Sequence, residues 1–406
     1  MCGGGKWEPI FSLGKTPLAN SFVRPGGRQE EPFFELGIQF CPTCGLVSLT
    51  HTVDKEVLYK HYIYISSDSH TISSHLAGLS RKIIERYNLR PKDLVGEIGS
   101  NTGTFLKLFW NHGFQVLGIE PAENIAAVAN ANGVRTVSEF YDARSAKKLR
   151  EEFGPLKILA GRHVFAHIDR VADALEGVAD HLRPDGVFIV EVPYLLDLIH
   201  QNQFDTIYHE HLSYFSVRTL EYLFTKNALE LIDVERYPVH GGSIVVYAQR
   251  KDGPYRRTAH VDDLLALEKR EGLDRIDAYR AFAQRVERLR DQLARLVRDI
   301  KKQGKTIAGY GAPAKATTLL HYCGLTAREI DFAIDTTPAK QGLLMPGNHI
   351  PVRADVLEPG ERPDYFLLFA WNYAKEITGK EAAFIKAGGR FIVPIPEPRV
   401  VERIND

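Results

Sequence analysis

Four consecutive residues, Tyr208 to His211, place two imidazoles, a phenol and a carboxylate within the stretch FDTIYHEHLSYFS. Two kinds of chemistry use such a set. A His-x-His pair can hold a metal ion when the backbone is extended, and the same side chains can move protons to and from a carbon acid. An extended backbone would put Tyr208 and Glu210 on one side and His209 and His211 on the other, whereas a turn would relax that separation.

A second candidate site lies in VGEIGSNTGTFLKLF, where an apolar strand passes through a glycine turn into a helical pattern. Glycines such as Gly99 and Gly103 let the backbone approach a bound group, and the helix start supplies unpaired N–H donors. The next strand ends in Glu120, an acid that can accept hydrogen bonds from both hydroxyls of a ribose. The G-x-N-x-G spacing lacks the third glycine of a dinucleotide fingerprint, so S-adenosylmethionine (SAM) fits this turn better than NAD.

Short apolar runs alternate with helical patterns through the centre of the chain, and the same alternation returns near the carboxyl terminus. Such alternation predicts parallel sheets with crossover helices. Between the two regions, a charged, proline-free segment has apolar residues at three- and four-residue steps, which predicts an apolar helix stripe. We therefore expect an α/β protein with a small domain at 1–60, a central domain at 61–255, linker helices at 256–302 and a second α/β domain at 303–406.

The 406 residues include 51 basic and 51 acidic side chains, so the formal net charge is zero. The sequence therefore lacks the charge excess that would indicate a nucleic-acid or membrane partner. The sequence has no apolar run of about 18 residues and no basic segment followed by an apolar one at its amino terminus. These features predict a cytoplasmic protein. The oligomeric state cannot be read from the sequence, and a monomer is slightly favoured.

Segments spread over nearly the whole chain resemble the nucleotide-sugar C-methyltransferases that act on keto-deoxysugars. In chain order they are GKTPLANSF, CPTCGLVSL, YIYISS, GEIGSNTGTFLK, GIEPAENIA, FDTIYHEHLSYFS, VHGGSIVVY, GYGAPAKATTLLHY and WNYAKEI. The resemblance implies a small amino-terminal zinc domain, a central class I (Rossmann-like) methyltransferase domain and a carboxyl-terminal Rossmann-like α/β domain that helps to hold the nucleotide. The implied cofactors are S-adenosylmethionine and a structural Zn²⁺, and the implied partner is a nucleotide-diphosphate sugar.

The resemblance also implies catalytic roles. His211 would be the base, Glu210 would orient an imidazole, Tyr208 would donate to the ketone and His167 would face the sugar. His240 precedes two glycines that allow close backbone approach, so it is a candidate to meet the enolate, with a bulge or tight turn as the alternative. A methyl branch requires loss of a proton beside a ketone and stabilisation of the enolate, after which the methyl group passes directly to the carbanion. That transfer needs no Lewis acid, and a third ligand would have to be found elsewhere, so proton transfer is favoured over a metal site.

Binding roles follow from the same resemblance. The implied cofactor-binding residues are Glu97, Gly99, Asn101, Gly103, Thr104, Glu120, Pro121 and Ala122. The implied substrate-binding residues are Tyr62, Tyr64 and His163. In the last domain, Lys315 and Thr317 follow a strand and its glycines, and Lys340 follows the next strand, so their positions predict contacts with the phosphate oxygens of a nucleotide diphosphate. Interior packing is the alternative for the two tyrosines, and a purely scaffolding role is the alternative for the last domain.

Two residues depart from the family pattern. His163 stands where the family usually has asparagine, and Thr102 stands where aspartate is common. A neutral imidazole offers one donor and one acceptor in a geometry that differs from that of an amide. Either the sugar therefore differs, or His163 fills the role with a shift, or His163 is a core histidine with no role in binding. A part for Thr102 in cofactor binding is in doubt.

Cys41 and Cys44 in CPTCG have the spacing of a zinc knuckle, and Cys2 is a third candidate ligand. Family members carry a second Cys-x-x-Cys near the amino terminus, where this chain has MCGGGKW. Three explanations stay open: a start site assigned too far downstream, a fourth ligand such as His51 or water, or a site that folds without metal. We favour the first.

Together these features predict a SAM-dependent C-methyltransferase that acts on a nucleotide-linked 4-keto-deoxyhexose, at carbon 3 of the ring. Methylation at carbon 5 or of another carbon acid is an alternative. A non-catalytic nucleotide-sugar-binding relative and an NAD-dependent sugar oxidoreductase are the alternatives from other classes.

Overall fold

The computed structural model describes residues 5–27, 30–54, 57–58 and 69–402. Three residues with predicted roles, Cys2, Tyr62 and Tyr64, lie outside the described residues. In the described part of the chain, the strands form sheets of four, seven and six strands. No helix there is long and apolar enough to cross a bilayer.

The first sheet is antiparallel and has the order β1-β2-β3-β9. Its strands are β1 (Glu8–Pro17), β2 (Phe33–Phe40), β3 (Val47–Leu49) and β9 (Ser213–Tyr214). Alternate residues of β2 point into the core, where Leu36, Ile38 and Phe40 are buried, as the period of a strand requires. Because β9 belongs to the stretch FDTIYHEHLSYFS, the small domain is joined directly to the candidate catalytic residues.

The central sheet has seven strands in the order β10-β11-β8-β7-β4-β5-β6. Its strands are β4 (Leu94–Ile98), β5 (Gln115–Ile119), β6 (Thr136–Val137), β7 (Leu156–Arg162), β8 (Leu182–Pro193), β10 (Leu229–Tyr237) and β11 (Ser243–Arg250). Its helices are α1 (His70–Arg86), α2 (Thr104–Trp110), α3 (Glu123–Ala131), α4 (Ala143–Phe153), α5 (Val171–His181), α6 (Leu195–His200) and α7 (Val217–Lys226). The strands predicted at β4, β5, β7 and β8 are confirmed.

Strands β4 to β8 pair in parallel, whereas β11 is antiparallel to both of its neighbours. Every residue of β8 from Val187 to Val192 is buried, because helices cover both faces of the parallel part. Parallel strands end at a common edge, so the loops after β4, β5, β7 and β8 meet there. This edge carries most of the predicted site residues.

Two helices, α8 (Ala259–Arg270) and α9 (Ile276–Lys302), connect the central domain to the last one. The predicted apolar stripe of α9 is confirmed. Its buried members include Phe282, Val286, Leu289, Leu293 and Ile300, and Leu296 is partly buried. The helix packs against β1, α6 and the first helix of the last domain, so it holds the domains together.

The last domain has a six-stranded sheet in the order β14-β13-β12-β15-β16-β17. Its strands are β12 (Ile307–Tyr310), β13 (Ala333–Ile334), β14 (Val352–Arg353), β15 (Tyr365–Leu368), β16 (Arg390–Val393) and β17 (Arg399–Val401). Its helices are α10 (Ala314–Cys323), α11 (Ala374–Lys380) and α12 (Ala382–Lys386). All neighbouring strands are parallel except β16 and β17. The predicted strands β12, β13, β15 and β16 are confirmed, whereas β14 and β17 were not foreseen.

Candidate active site

A turn brings Tyr208 and His211 together. The His211 N–H donates to the Tyr208 carbonyl at 2.9 Å, so the backbone folds back here instead of running extended. The Tyr208 hydroxyl lies 2.7 Å from His211 Nε2, and the two ring centroids are 4.0 Å apart. The turn therefore couples a phenol to an imidazole, which an extended strand would have pointed to opposite sides.

The tautomer of His211 follows from its hydrogen bonds. Its Nδ1 lies 2.8 Å from the Thr206 carbonyl oxygen, which can only accept, so Nδ1 carries the proton. Burial lowers the pKa of His211 well below its usual range, and the nearby His167 adds to the effect. The ring is therefore neutral, its Nε2 holds a lone pair, and the Tyr208 hydroxyl donates to that lone pair.

Glu210 does not orient an imidazole, contrary to the role implied by resemblance. Its Oε1 accepts a hydrogen bond from Asn20 Nδ2 at 2.6 Å, and the carbonyl of Thr206 orients His211 instead. Burial raises the pKa of Glu210 to about 7, although the bond from Asn20 and the charge of Lys340 act in the opposite direction. The carboxyl group thus connects the turn to the amino-terminal domain.

His209 also faces the amino-terminal domain. It is buried, its Nε2 donates to the Glu35 carbonyl at 3.2 Å, and its ring packs edge-on against Phe34. His211, by contrast, uses both ring nitrogens for Tyr208 and Thr206. The two histidines therefore do not form a chelating pair, and the described ranges contain no group of three or more His, Cys, Asp or Glu side chains that could hold a metal ion.

Three more histidines surround this pair. His167 packs edge-on against His211 with centroids 5.0 Å apart, and His163 packs in the same way against His240 at 4.5 Å. Burial lowers the pKa of His167 to about 4 and that of His240 to about 3, and His163 contributes to both shifts. The predicted histidines thus form one cluster in which His167, His211 and His240 are neutral.

Glu191, at the end of β8, is a buried carboxylate that was not predicted. Its Oε1 lies 2.6 Å from His75 Nε2 and 3.7 Å from His163 Nε2. Burial alone would raise the pKa of Glu191, but the contacts with His163 and His75 and the charge of Arg162 outweigh it and hold the pKa well below its usual range. The sequence did contain a signal for Glu191 as a site residue, because an ionisable side chain stands inside the apolar run GVFIVEVP.

The predicted cofactor residues converge on the turn after β4. Gly99, Asn101 and Gly103 have φ values of 63°, 49° and 79°, in the left-handed region that favours glycine. A Cβ atom on Gly99 would lie 2.7 Å from Val164, so no larger side chain fits. Glu120 accepts hydrogen bonds from the N–H groups of Asn101 and Ala122 at 2.9 and 3.0 Å. Pro121 lies between Glu120 and Ala122, and Thr104 begins α2 directly after Gly103.

Glu97 provides a test of whether a ligand fits this turn. Its Oε1 accepts a hydrogen bond from Arg162 Nε at 2.9 Å, while its buried Oε2 has no hydrogen-bond partner among the described residues. The buried hydroxyl of Ser100 likewise has none in that part of the chain. Buried polar atoms are normally paired, so these two atoms fit the donors and acceptors of a bound SAM.

The predicted phosphate-binding residues of the last domain do not share one surface. Thr317 is buried and its hydroxyl donates to the Ala19 carbonyl at 3.2 Å. Lys340 Nζ donates to the Ala312 carbonyl at 3.0 Å and lies 3.7 Å from an Asp335 oxygen. Both side chains are therefore used in domain packing, because their polar atoms are bonded inside the protein.

Lys315 has a different environment. Its Nζ donates to Asn372 Oδ1 and lies 4.2 Å from the centroid of the Trp371 ring. Burial lowers the pKa of Lys315 to about 8, which the charge of Asp205 partly offsets. Lys315 is half-buried as a residue, whereas Thr317 and Lys340 are buried.

The last domain also contacts the catalytic stretch directly. Trp371 Nε1 donates to Asp205 Oδ2 at 2.6 Å, and the Thr318 hydroxyl donates to the Ile207 carbonyl at 2.9 Å. Burial raises the pKa of Asp205 to about 6, and Lys315 opposes that shift. These contacts join residues far apart in the sequence, so no local pattern indicated them.

The described residues contain one pair of the predicted zinc-binding cysteines. Cys41 and Cys44 are buried in the turn between β2 and β3, which the Gly45 N–H closes by donating to the Cys41 carbonyl at 2.8 Å. Gly45 adopts the left-handed φ of 76° that such a turn requires. His51, the suggested fourth ligand, is exposed and stacks on Phe34. The two thiols fit half of a tetrahedral zinc site.

Comparison with known proteins agrees with this architecture. Family models match residues 1–59 ("Putative zinc binding domain"), 73–234 ("Methyltransferase domain") and 238–396 ("C-methyltransferase C-terminal domain"). The C-methyltransferase NovU of Streptomyces niveus is 45% identical over 405 residues, which cover 99% of this chain and 96% of NovU. This chain belongs to the family of NovU-like C-methyltransferases. It is therefore an enzyme with the class I SAM-dependent methyltransferase fold.

Solved structures resemble the C-methyltransferase over about half of its length. A Pyrococcus horikoshii OT3 protein is 18% identical with a TM-score of 0.38, and covers 49% of this chain and 100% of its own. Magnesium protoporphyrin IX methyltransferase from Synechocystis PCC 6803, solved with bound SAM, is 12% identical with a TM-score of 0.36. The match covers 48% of this chain and 92% of that protein.

Proposed function

We propose that this C-methyltransferase methylates carbon 3 of a nucleotide-linked 4-keto-deoxyhexose. The observation that carries the proposal is the Tyr208–His211 pair. A neutral imidazole with its lone pair at Nε2, held in that tautomer by the Thr206 carbonyl, is a base ready to receive a proton. Transfer of a methyl group to carbon needs such a base, because the carbon must first lose its proton to become a nucleophile.

The first step is removal of the proton beside the ketone. The C–H bond breaks, its electron pair moves into the enolate, and His211 becomes the final acceptor of the proton. The neutral imidazoles of His167 and His240 are proposed to donate hydrogen bonds to the ketone oxygen, where negative charge develops. Because the imidazoles of His167 and His240 are neutral, they can donate these hydrogen bonds without first transferring a proton to the Tyr208–His211 pair.

SAM, when bound, supplies the methyl group, which leaves its sulfonium sulfur as the new C–C bond forms. Glu97, Gly99, Asn101 and Gly103 are proposed to hold this cofactor, and Glu120 is proposed to accept from its ribose hydroxyls. Thr104, Pro121 and Ala122 complete the proposed cofactor site. The protein then contributes mainly the alignment of the two reacting carbons.

A nucleotide-diphosphate sugar is the proposed partner because the catalytic stretch lies against the last domain. Lys315 is the proposed contact for the diphosphate, since it is half-buried as a residue while Thr317 and Lys340 are buried and used in packing. His163 is proposed to face the sugar in place of the asparagine usual in the family. Tyr62 and Tyr64 remain proposed substrate contacts from the family pattern alone.

Exchange of hydrogen with solvent tests the proposal. The enzyme would be incubated in heavy water with S-adenosylhomocysteine and nucleotide 4-keto-deoxyhexoses, and NMR would locate the deuterium. We expect deuterium at carbon 3, and loss of that exchange in His211→Ala. Deuterium at carbon 5 would overturn the assigned carbon. A nucleotide sugar that raises the melting temperature while no sugar exchanges or is methylated would favour a binding protein instead.

A further inference from the structure

We infer that Tyr373, in the last domain, is a positioning residue of the active site: its hydroxyl donates to His240 Nδ1 and so holds the proton of that imidazole at Nε2. Nε2 is then the atom of His240 that donates to the ketone oxygen. This inference rests on the proposed methylation of a carbon acid, in which His240 stabilises the enolate, and it adds a residue of the last domain to that reaction.

The contact between the two rings has the geometry of a hydrogen bond to the edge of an imidazole. The Tyr373 hydroxyl lies 3.4 Å from His240 Nδ1, the ring centroids are 6.5 Å apart and the ring planes meet at 82°. Rings so far apart and nearly perpendicular do not stack, so the hydroxyl points at the edge where the ring nitrogen lies. The bond is long, as hydrogen bonds of unliganded active sites often are.

The partner at Nδ1 decides what the other nitrogen of His240 can do. Burial lowers the pKa of His240 to about 3, so the ring is neutral and carries a single N–H. Among the described residues, Nδ1 is the ring nitrogen with a hydrogen bond, and Nε2 has no such partner. Nε2 is therefore the nitrogen left for the ketone oxygen, and it can donate only if Nδ1 is the acceptor.

The backbone that carries His240 is fixed in an unusual conformation. His240 has a φ of 54°, in the left-handed region, and Gly241 and Gly242 follow with φ values of 89° and 115°. The Gly242 N–H donates to the Val239 carbonyl at 2.9 Å, and Gln203 Nε2 donates to the Gly241 carbonyl at 2.5 Å. A residue other than glycine keeps a left-handed φ where the surrounding contacts enforce it, often at functional sites. The imidazole is thus held in place, and its tautomer is left for Tyr373 to set.

Neighbours in the chain hold Tyr373 against the central domain. Two residues before it, Trp371 Nε1 donates to Asp205 Oδ2 at 2.6 Å. Three residues after it, Glu376 in α11 accepts from the Thr71 hydroxyl in α1 at 2.9 Å. Because bonds on both sides of Tyr373 cross between the two domains, they keep the phenol beside the histidine cluster.

The direction of the hydrogen bond follows from the charge that develops on the substrate. If Tyr373 accepted from Nδ1, then Nε2 of His240 would hold a lone pair and repel the enolate oxygen. If Tyr373 donates to Nδ1, then Nε2 carries the proton and meets the enolate oxygen as a donor. The phenol also strengthens that donor, because hydrogen bonds in a chain polarise one another.

Tyr373→Phe tests this role. We expect kcat to fall about tenfold while KM for the nucleotide sugar stays within about twofold, because the bond to the enolate strengthens in the transition state. In a His240→Asn background the same change should have no further effect on kcat, since Tyr373 acts through this imidazole. Tyr310→Phe is the matched control: its hydroxyl donates to Glu381 Oε1 at 3.0 Å in the same domain, and its loss should leave kcat close to that of the wild type.

NMR of the wild type decides the tautomer even if Tyr373→Phe folds poorly. With nitrogen-15-labelled histidine, the protonated ring nitrogen is distinguished by its chemical shift, and His240→Asn identifies the signals of His240. We expect the proton at Nε2.

Three outcomes would overturn the inference and leave the proposed function standing. They are a proton at His240 Nδ1, a folded Tyr373→Phe with the kcat of the wild type, and equal losses from Tyr373→Phe with and without His240. A wild type that neither exchanges nor methylates any 4-keto sugar would instead overturn the proposed function, and the inference with it.

Discussion

Burial sets the protonation state of individual residues around the catalytic turn. The imidazoles of His167, His211 and His240 are kept neutral because a charged ring would lose its hydration there. Burial raises the pKa of Glu210 instead, since it favours the protonated, uncharged form of a carboxyl group. Neutral groups dominate the site, which suits a reaction in which charge develops on the substrate.

The raised pKa of Glu210 has a consequence for stability. Between about pH 4.5 and 7 the folded protein holds this proton more tightly than the unfolded chain, so the contribution of Glu210 to the unfolding free energy falls as pH rises through that window. Glutamine stays uncharged and still accepts from Asn20. We therefore expect Glu210→Gln to be more stable than the wild type at pH 8, by about 2 kcal/mol, and equally stable near pH 4.5.

Denaturant unfolding at both pH values measures this difference. Glu123→Gln, at an exposed position in the first turn of α3, is the control, and it should change the unfolding free energy by less than about 0.5 kcal/mol at either pH. A Glu210→Gln variant that is less stable than the wild type at pH 8 would show that the carboxylate is a stabilising partner of Lys340.

At the scale of elements, the catalytic turn is held from both sides. The amino-terminal domain contacts it through Asn20 and through Ser48, whose hydroxyl donates to the Leu212 carbonyl at 2.7 Å. The last domain contacts it through Trp371 and Thr318, the latter on α10. A short irregular turn has little stability of its own, so these bonds determine where its side chains point.

Removal of one of these bonds should impair the chemical step. Thr318→Val keeps the shape of the side chain but deletes the donor to the Ile207 carbonyl, in the residue before Tyr208. We expect kcat to fall about tenfold with KM nearly unchanged, because a small displacement of the base affects the transition state more than binding. Steady-state kinetics with SAM and the nucleotide 4-keto-deoxyhexose substrate would measure this.

Thr378→Val is the matched control. Its hydroxyl is also buried and donates to the Ala374 carbonyl within α11 of the same domain. The two variants should lose similar stability, about 1 kcal/mol each, whereas only Thr318→Val should lose activity. Equal kcat values for the two variants would mean that α10 only supports the fold.

The sequence predicted the elements whose signal is local. Strands β4, β5, β7 and β8 were recognised because both of their faces are buried, which leaves continuous apolar runs. Strands β9 and β14 were not recognised, since two residues carry no periodicity and their pairing depends on distant strands. The same reason explains why the partner of Glu210 was not predicted: Asn20 lies 190 residues away.

For the whole molecule, the amino-terminal domain continues structurally into the active site. β3 begins at Val47, just after Cys44, and it pairs with β9 at Tyr214, just after His211. The Leu49 N–H also donates to the Leu212 carbonyl at 3.1 Å. We propose that a structural zinc ion is bound by Cys41, Cys44 and Cys2. Such an ion would stabilise the strand on which the catalytic turn ends.

Loss of that zinc ion should then lower stability and catalysis together. We expect Cys41→Ala, or treatment of the enzyme with a chelator, to remove bound zinc, reduce the melting temperature and slow solvent exchange at the substrate carbon. Cys323→Ala is the control, since this buried thiol lies in α10 of the last domain and should affect neither zinc content nor exchange. Zinc analysis, thermal melting and exchange would be measured on the same samples. One outcome would contradict this prediction: the wild type contains zinc, and removal of the zinc lowers the melting temperature but leaves exchange unchanged. The β3–β9 pairing would then not position the catalytic turn, and the bonds from the last domain would be enough to position it.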